Sequence, residues 1–265
     1  MSSSDGLSGA AAEEALRGAA WPAGVGRVVF DRVDSTMAEA ARRADTLDRP
    51  TWIMAAEQTA GRGRRGRRWR GGRGNFAATL AMEGPADPGR AALYSFVAAL
   101  ALADALLELG VGRAALALKW PNDVLLNGGK VAGILLERTG TGALLIGVGV
   151  NLAEAPAPGE VEDGAMRPAA LAAEAGLEVS PAAFLDALAP AFADWAARLE
   201  AEGFAPVREA WLARAARRGQ PIRARAGAEE IAGTFEDVDA AGHLVIGTAA
   251  GPRIVAAAEV HFPET

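Results

Sequence analysis

The chain of 265 residues contains no cysteine, only two histidines and only two lysines. Without cysteine, the fold has no disulfide, no thiolate nucleophile and no cysteine-ligated metal. Both histidines, His243 and His261, lie near the C-terminus, which excludes a histidine-based triad or a histidine-rich metal site from the main part of the chain. The longest apolar run, residues 91–103, is shorter than the roughly 20 residues that a membrane helix needs.

The overall composition indicates a soluble protein that does not act at a membrane. The first nine residues, MSSSDGLSG, have neither a basic start nor an apolar segment, so they do not resemble a signal peptide. The hydrophobic content of 51% is ample for one main domain and a small second one. We therefore expect a cytoplasmic location.

The two lysines are clustered in one short segment of the chain. Arginine makes up 25 of the 27 basic residues, whereas Lys119 and Lys130 both lie in KWPNDVLLNGGK. An arginine-rich composition can leave two lysines close together by chance. The clustering becomes evidence for function only if the chemistry of the segment supports it.

Residues 1–24 are rich in serine, glycine and alanine and predict a loose N-terminal extension. An ordered pattern follows, with a short strand before a helix. Thr36 and Glu39 have the spacing of a capping box at the start of that helix, and Asp34 and Ser35 are alternative caps.

The pattern of apolar runs predicts an α+β fold over residues 25–217. Four short runs between residues 115 and 150 are separated by turn residues, of which Asn127-Gly128 is the strongest hairpin signal. Because strands and helices do not alternate regularly, we expect a mixed, largely antiparallel sheet flanked by helices. Residues 218–265 change to a period of two and predict four or five short strands, the size of a small β-barrel domain.

A glycine-rich loop carries most of the concentrated positive charge. Between residues 58 and 82 there are seven arginines and no acidic residue. Guanidinium groups and exposed backbone amides suit a phosphate or carboxylate ligand. A nucleic-acid patch is the weaker interpretation, because Trp69 is the only aromatic residue in the loop itself and the chain is acidic overall. A solvated surface loop remains the plain alternative. However, like charges without a counter-ion repel one another. We therefore expect an anionic ligand to order the loop.

Four segments together resemble the biotin protein ligases. They are DSTMAEA (34–40), EQTAGRGRRGRRW (57–69), KWPNDVLLNGGKVAGILLE (119–137) and GVGVNL (147–152). The resemblance implies a class II synthetase-like biotin/lipoate ligase fold with an SH3-like C-terminal domain. It also implies ATP-dependent biotinylation, through biotinyl-5'-AMP and with Mg²⁺, of a lysine on the biotin carboxyl carrier protein of a carboxylase.

Some members of this family carry a DNA-binding helix-turn-helix domain before the ligase domain. Here about 27 residues precede the catalytic pattern, too few for such a domain. We therefore expect the monofunctional type, which does not bind nucleic acid, and leave open whether it is a monomer or a homodimer. A lipoate or octanoate ligase or transferase of the same superfamily is the alternative function.

The resemblance assigns roles residue by residue. Residues expected to act in catalysis are Lys130, Arg64 and Arg62. Residues expected to bind biotin are Ser35, Thr36, Met37, Gln58, Arg62, Gly63, Arg64 and Lys130. Residues expected to bind ATP or the adenylate are Trp69, Lys119, Asn122, Asp123 and Asn151.

Several of these residues also have a plain structural interpretation. Ser35 and Thr36 suit a helix cap, Trp69 suits core packing, and Asn122 and Asp123 suit a simple turn. Position 37 departs from the family pattern, because Met37 stands where asparagine is frequent and cannot offer a side-chain amide. No metal site is evident, and Asp123 is only a weak candidate for holding Mg²⁺.

We predict that Lys130→Arg keeps the fold and the charge but loses most of the adenylation activity, because a planar guanidinium cannot follow a moving phosphate oxygen as a compact ammonium does. Lys119→Arg is expected to be milder. Pyrophosphate exchange in the presence of biotin measures both effects. Wild-type activity in Lys130→Arg would indicate that the clustering of the two lysines is a chance result of the composition.

Overall fold

The computed structural model of the chain describes residues 20–69, 71–162 and 165–262. Most of the predicted N-terminal extension, residues 1–19, lies outside the described residues. Twelve strands and six helices of five or more residues are assigned within the described ranges. They confirm the α+β class.

The main sheet has seven strands. They are β1 (Gly26–Val33), β2 (Thr51–Gln58), β3 (Phe76–Glu83), β4 (Leu116–Lys119), β5 (Asp123–Leu126), β6 (Gly129–Arg138) and β7 (Ala143–Val150). Their spatial order is β1-β2-β3-β7-β6-β5-β4. Only β1 and β2 pair in parallel, and every other neighbouring pair is antiparallel. The expected mixed, largely antiparallel sheet is thus confirmed.

Helices cover the main sheet. They are α1 (Thr36–Arg43), α2 (Pro88–Ala92), α3 (Tyr94–Glu108), α4 (Leu171–Ala175), α5 (Pro181–Glu202) and α6 (Phe204–Leu212). The long helices α3 and α5 pack on one face, where the rings of Trp52 and Phe192 meet edge to face at 5.8 Å. On the other face α1 packs through Met37 and Ala40 against Ile53. Strand β2 is therefore buried on both sides.

Helix α3 forms the centre of the core. The segment Pro88–Glu108 is long and apolar enough to cross a membrane by length and composition, but 78% of its most apolar window is buried inside the protein. Leu93 separates the short helix α2 from α3 within this segment. The apolar run that the sequence shows is thus explained by burial against the sheet and α5.

The C-terminal part forms a second, antiparallel sheet. Its strands are β8 (Pro221–Ala226), β9 (Glu229–Val238), β10 (Leu244–Thr248), β11 (Gly251–Val255) and β12 (Glu259–His261), in the order β11-β10-β9-β8-β12. This sheet fits the expected SH3-like barrel. Trp211 of α6 lies between α3 and the C-terminal sheet, with its ring 5.2 Å from that of Phe96 in α3 and 6.4 Å from that of Phe235 in β9. The predicted domain boundary at 217/218 falls in the connection before β8 and stays a prediction.

The expected capping box at the start of α1 is wrong. Ser35 occupies the N-cap position, but its side chain does not cap the helix. Glu39 instead pairs with Arg42 and Arg43. The first amide of the helix, that of Thr36, donates to a side chain from β2, so a tertiary contact replaces the local cap.

The β5–β6 hairpin confirms the signal of Asn127-Gly128. Asn127 has φ 47° and Gly128 has φ 75°, so both turn residues lie in the left-handed region. A two-residue turn with positive φ at both positions matches the twist of the strands that it joins. The turn therefore fixes the register that brings Lys130 opposite Leu125.

We predict that Gly128→Ala lowers the free energy of unfolding by about 1 kcal/mol, because a Cβ is strained at positive φ even though open space surrounds it. Gly140→Ala is the matched control: its Cβ also meets open space, and its φ is not in that region. Urea denaturation of both variants measures the difference. Equal losses would show that backbone strain at the turn is not the cause.

Candidate active site

A cavity of about 1170 Å³ opens where the arginine loop, the β5–β6 hairpin and the end of the C-terminal sheet meet. It exceeds the range of about 300–1,000 Å³ that is typical of a site for one small molecule, so it has room for two substrates. Twelve of the thirteen residues predicted for the site line it. They are Thr36, Met37, Gln58, Arg62, Gly63, Arg64, Trp69, Lys119, Asn122, Asp123, Lys130 and Asn151. The exception is Ser35, which is buried but does not line the cavity.

Both lysines of the chain contact the same carboxylate in this cavity. Lys130 Nζ lies 2.6 Å from Asp123 Oδ1, and Lys119 Nζ lies 3.8 Å from Asp123 Oδ2. Burial lowers the pKa of Lys119 below its ordinary value, and the charge of Lys130 adds to that effect, whereas Asp123 opposes it. The clustering of the two lysines in sequence therefore corresponds to one site in space.

The two lysines differ in exposure. The side chain of Lys119 is 9% exposed and that of Lys130 is 32% exposed. A guanidinium at position 119 must fit a larger, planar group into a nearly closed position. The structure therefore changes our expectation for Lys119→Arg, from a mild effect to a loss of both stability and activity.

Arg64 joins this cluster from the arginine loop. Its Nη1 donates to Asn122 Oδ1 over 3.2 Å, and the Nδ2 of Asn122 donates to the carbonyl of Ile134 at 2.6 Å. Burial lowers the pKa of Arg64, and the nearby Asp123 partly offsets this. Arg64, Lys119 and Lys130 thus place three cations around one carboxylate, so the centre of the cavity is electropositive.

The expectation that the arginine loop lacks counter-ions is wrong. Arg67 Nη1 lies 2.5 Å from Glu259 Oε1, and Arg67 Nε lies 2.8 Å from Glu162. Arg65 also pairs with Glu259 at 3.2 Å, and Arg73 pairs with Asp31 at 2.9 Å. These carboxylates lie outside the loop in sequence, so the loop is held by ion pairs with other segments without any ligand. The Arg67 guanidinium keeps the pKa of Glu259 below its usual range.

Three glycines form a bare floor under the cavity: Gly133 on β6 and Gly147 and Gly149 on β7, with Gly133 paired to Gly149. We call them the glycine floor. A Cβ at Gly149 would overlap the indole of Trp69, and a Cβ at Gly133 would lie 3.3 Å from both Trp69 and the side chain of Lys130. Trp69 therefore lies across the sheet itself. Within the described residues its Nε1 is buried without a hydrogen-bond partner. This N–H group can therefore donate a hydrogen bond to a ligand.

At another part of the cavity, α1 meets β2 through side-chain hydrogen bonds. Gln58 Oε1 accepts from the backbone amide of Thr36 at 2.8 Å and from its hydroxyl at 3.1 Å. Thr79 Oγ1 in turn donates to Thr36 Oγ1 at 2.9 Å. Met37 lies over Gly147, so the thioether packs against the glycine floor, and no amide is present at that position.

Asn151 directly follows β7 and lines the cavity. Its Nδ2 donates to the carbonyl of Ala169 at 3.0 Å, and its amide donates to Val131. Its Oδ1 is buried and has no partner among the described residues. One half of the side chain is thus fixed by the protein, which leaves an acceptor for a ligand.

The motifs in the sequence did not reveal the contribution of the C-terminal sheet and of β3. Glu259, His261 and Phe262 line the same cavity, and the Phe262 ring lies 5.5 Å from Lys119 Nζ. The only available signal was the scarcity of histidine, which did not point to this site. Thr79 is a fully buried threonine in an apolar strand and gave no signal at all.

A dedicated metal site does not fit the residues present. Among the described residues, no group of three or more histidine or acidic side chains could hold a metal ion. Asp123, the weak candidate, already contacts two ammonium groups. Further ligands for a divalent ion would therefore have to come from a bound substrate.

Comparison with known proteins gives the same assignment. The model described as "Biotin/lipoate A/B protein ligase family" matches residues 29–151, and that described as "Biotin protein ligase C terminal domain" matches residues 219–262. A biotin--[acetyl-CoA-carboxylase] ligase of Paracoccus denitrificans is 56% identical over 87% of this chain and 98% of its own length. The bifunctional ligase/repressor BirA of Escherichia coli (strain K12) is 30% identical over 82% of this chain and 68% of its own length.

A solved structure shows the same fold. The biotin protein ligase from Aquifex aeolicus in complex with biotin and ATP has a TM-score of 0.77 at 23% identity, covering 89% of this chain and 97% of that one. The fold and the cavity thus define a protein of the biotin/lipoate ligase class. With the relative from Paracoccus nearly covered from end to end, the chain belongs to the biotin protein ligase family, as the sequence motifs indicated. It is therefore an enzyme, a biotin ligase.

We predict that Gly149→Ala lowers the adenylation rate about 10²-fold, because the new Cβ displaces Trp69 from the glycine floor. Gly147→Ala is a useful comparison, since its Cβ meets the flexible end of Met37, which can rotate away. Pyrophosphate exchange and thermal unfolding should be measured for both variants. Equal losses of activity would show that the position of Trp69 is not the cause.

Proposed function

We propose that this cavity joins biotin to a lysine of a biotin carboxyl carrier protein in two steps. In the first step a carboxylate oxygen of biotin attacks the α-phosphorus of ATP, and pyrophosphate leaves. In the second step the amine of the acceptor lysine attacks the acyl carbon of biotinyl-5'-AMP, loses a proton and releases AMP. The observation that carries the proposal is the cluster of three cations around Asp123 in a cavity large enough for both substrates.

The first step requires two anions to approach to bonding distance. Fixed cations in a partly buried site offset this repulsion more effectively than solvated ones, because the effective dielectric constant is lower. Arg62 and Arg64 line the cavity from the loop and Lys130 lines it from the hairpin. We assign these three residues to the carboxylate and the α-phosphate.

Lys130 has the geometry of a mobile cation. Its ammonium group contacts Asp123, and its side chain is the more exposed of the two lysines. The ammonium group of Lys130 can therefore leave the carboxylate oxygen of Asp123 and contact an oxygen of the substrate without a further cost of desolvation. Lys119, buried under Phe262, remains as a fixed positive charge beside it.

The ureido head of biotin belongs at the part of the cavity formed by α1 and β2. There Thr36 and Gln58 offer hydrogen-bonding groups beside the apolar surface of Met37 and the glycine floor. Such a combination of a few directed polar groups and an apolar slot is typical of a small-molecule site. Ser35 is not a lining residue, so any contact that it makes with biotin needs a movement at the start of α1.

The nucleotide belongs between Trp69, Asn151 and the Lys119–Asn122–Asp123 segment. Trp69 offers an indole face and an N–H, and Asn151 offers a carbonyl oxygen; neither of these polar groups has a hydrogen-bond partner among the residues that the structure describes. Mg²⁺ is expected to arrive with ATP, whose phosphates supply the ligands that the protein lacks. The use of ATP and the absence of cysteine are both consistent with a cytoplasmic enzyme.

The test is to incubate the chain with biotin, ATP and Mg²⁺ and to detect biotinyl-5'-AMP by mass spectrometry. Addition of a biotin carboxyl carrier domain should then consume the adenylate and increase the mass of the domain by one biotinyl group. Lipoate should not support pyrophosphate exchange. Exchange that requires lipoate and ignores biotin would contradict the proposal and favour the lipoate alternative.

A further inference from the structure

A buried threonine behind the cavity is the first donor in a chain of hydrogen bonds at the α1–β2 part of the cavity. Thr79 lies in the middle of β3, between Ile53 of β2 and Gly147 of β7, and it is 0% exposed. It does not line the cavity. Its only side-chain hydrogen bond among the described residues goes to Thr36 Oγ1, at 2.9 Å.

The direction of this chain of hydrogen bonds follows from what each group can do. The backbone amide of Thr36 can only donate, so the atom of Gln58 that it meets must be the carbonyl oxygen Oε1. Oε1 can only accept, so the hydroxyl proton of Thr36 points to it. The Thr36 oxygen is then an acceptor for Thr79.

The consequence lies at the opposite side of Gln58. Two donors fix the position of Gln58 Oε1. The side-chain amide nitrogen Nε2 is then available to a ligand in the cavity, because it donates no hydrogen bond within the described ranges. An N–H donor at this place selects a ligand with a carbonyl oxygen. The cyclic urea of biotin has one.

We propose that Thr79 is a positioning residue that makes the site selective for a ureido carbonyl, by holding Thr36 and, through it, Gln58 in this orientation. The proposal rests on the placement of the biotin head under the proposed function. Without the Thr79 hydroxyl, Thr36 has a buried lone pair without its donor, and its hydroxyl is free to turn away from Gln58. The Gln58 amide then loses one of the two contacts that orient it.

The experiment compares Thr79→Val, which keeps the shape and removes the hydroxyl, with Thr79→Ser, which retains it. Thr51→Val is the matched control, since Thr51 is a buried threonine of the same sheet whose hydroxyl, within the part of the chain that the structure describes, bonds only the Arg49 carbonyl. Biotin affinity is measured by calorimetry without ATP, and KM and kcat by pyrophosphate exchange. Diaminobiotin, which lacks the ureido carbonyl, serves as the second ligand.

We expect Thr79→Val to raise the Kd and KM for biotin roughly three- to tenfold, the loss of about one neutral hydrogen bond. The KM for ATP, kcat and the Kd for diaminobiotin should stay within about twofold, as should all values for Thr79→Ser and Thr51→Val. A merely structural role would weaken biotin and diaminobiotin equally, and that result would overturn the proposal.

An unchanged biotin Kd in Thr79→Val, with wild type binding biotin, would likewise refute the role of Thr79 and leave the proposed function intact. Failure of the wild-type chain to bind biotin at all would overturn both. Failure of Thr79→Ser to restore affinity would show that volume at this position, and not the hydroxyl, is what matters.

Discussion

The site depends on one carboxylate that holds two ammonium groups in a partly closed cavity. Asp123 contacts both Lys119 and Lys130, and with Arg64 nearby the cluster keeps an excess of positive charge. An unpaired group of cations at this depth would be costly, because burial disfavours the charged form of each. The shared carboxylate of Asp123 lowers that cost. The remaining excess of positive charge gives the positive potential that an anionic substrate requires.

The fold serves this arrangement in a simple way. The tight Asn127-Gly128 turn sets the register of β5 and β6, so that Asp123 and Lys130 come from adjacent strands of one hairpin. Behind the main sheet, α3 and α5 pack together in one apolar core. On the side of the cavity, the glycine floor removes side chains where a flat ligand and Trp69 approach the sheet.

Much of this was predictable from the sequence, because it depends on local patterns. The hairpin turn, the change to a period of two after residue 217, and the order of the four motifs indicated the fold class, and the motifs supplied thirteen site residues of which twelve line the cavity. The contacts that the sequence did not reveal are long-range. The partner of the Thr36 amide comes from β2, and the carboxylate that pairs with Arg65 is 194 residues away. No local propensity encodes such pairs, and a capping box was expected where a tertiary contact exists.

The ion pairs of Glu259 with Arg65 and Arg67 also have a consequence for the biosynthesis of the enzyme. The arginine loop leaves the ribosome long before β12 does, and until then the carboxylate of Glu259 does not exist. A nascent chain that lacks β12, or a chain cleaved before β12, therefore exposes a cationic loop without the Glu259 carboxylate. Such a loop attracts nucleic acids and other polyanions through charge alone. Docking of the last strand thus completes the substrate site and also removes this non-specific attraction.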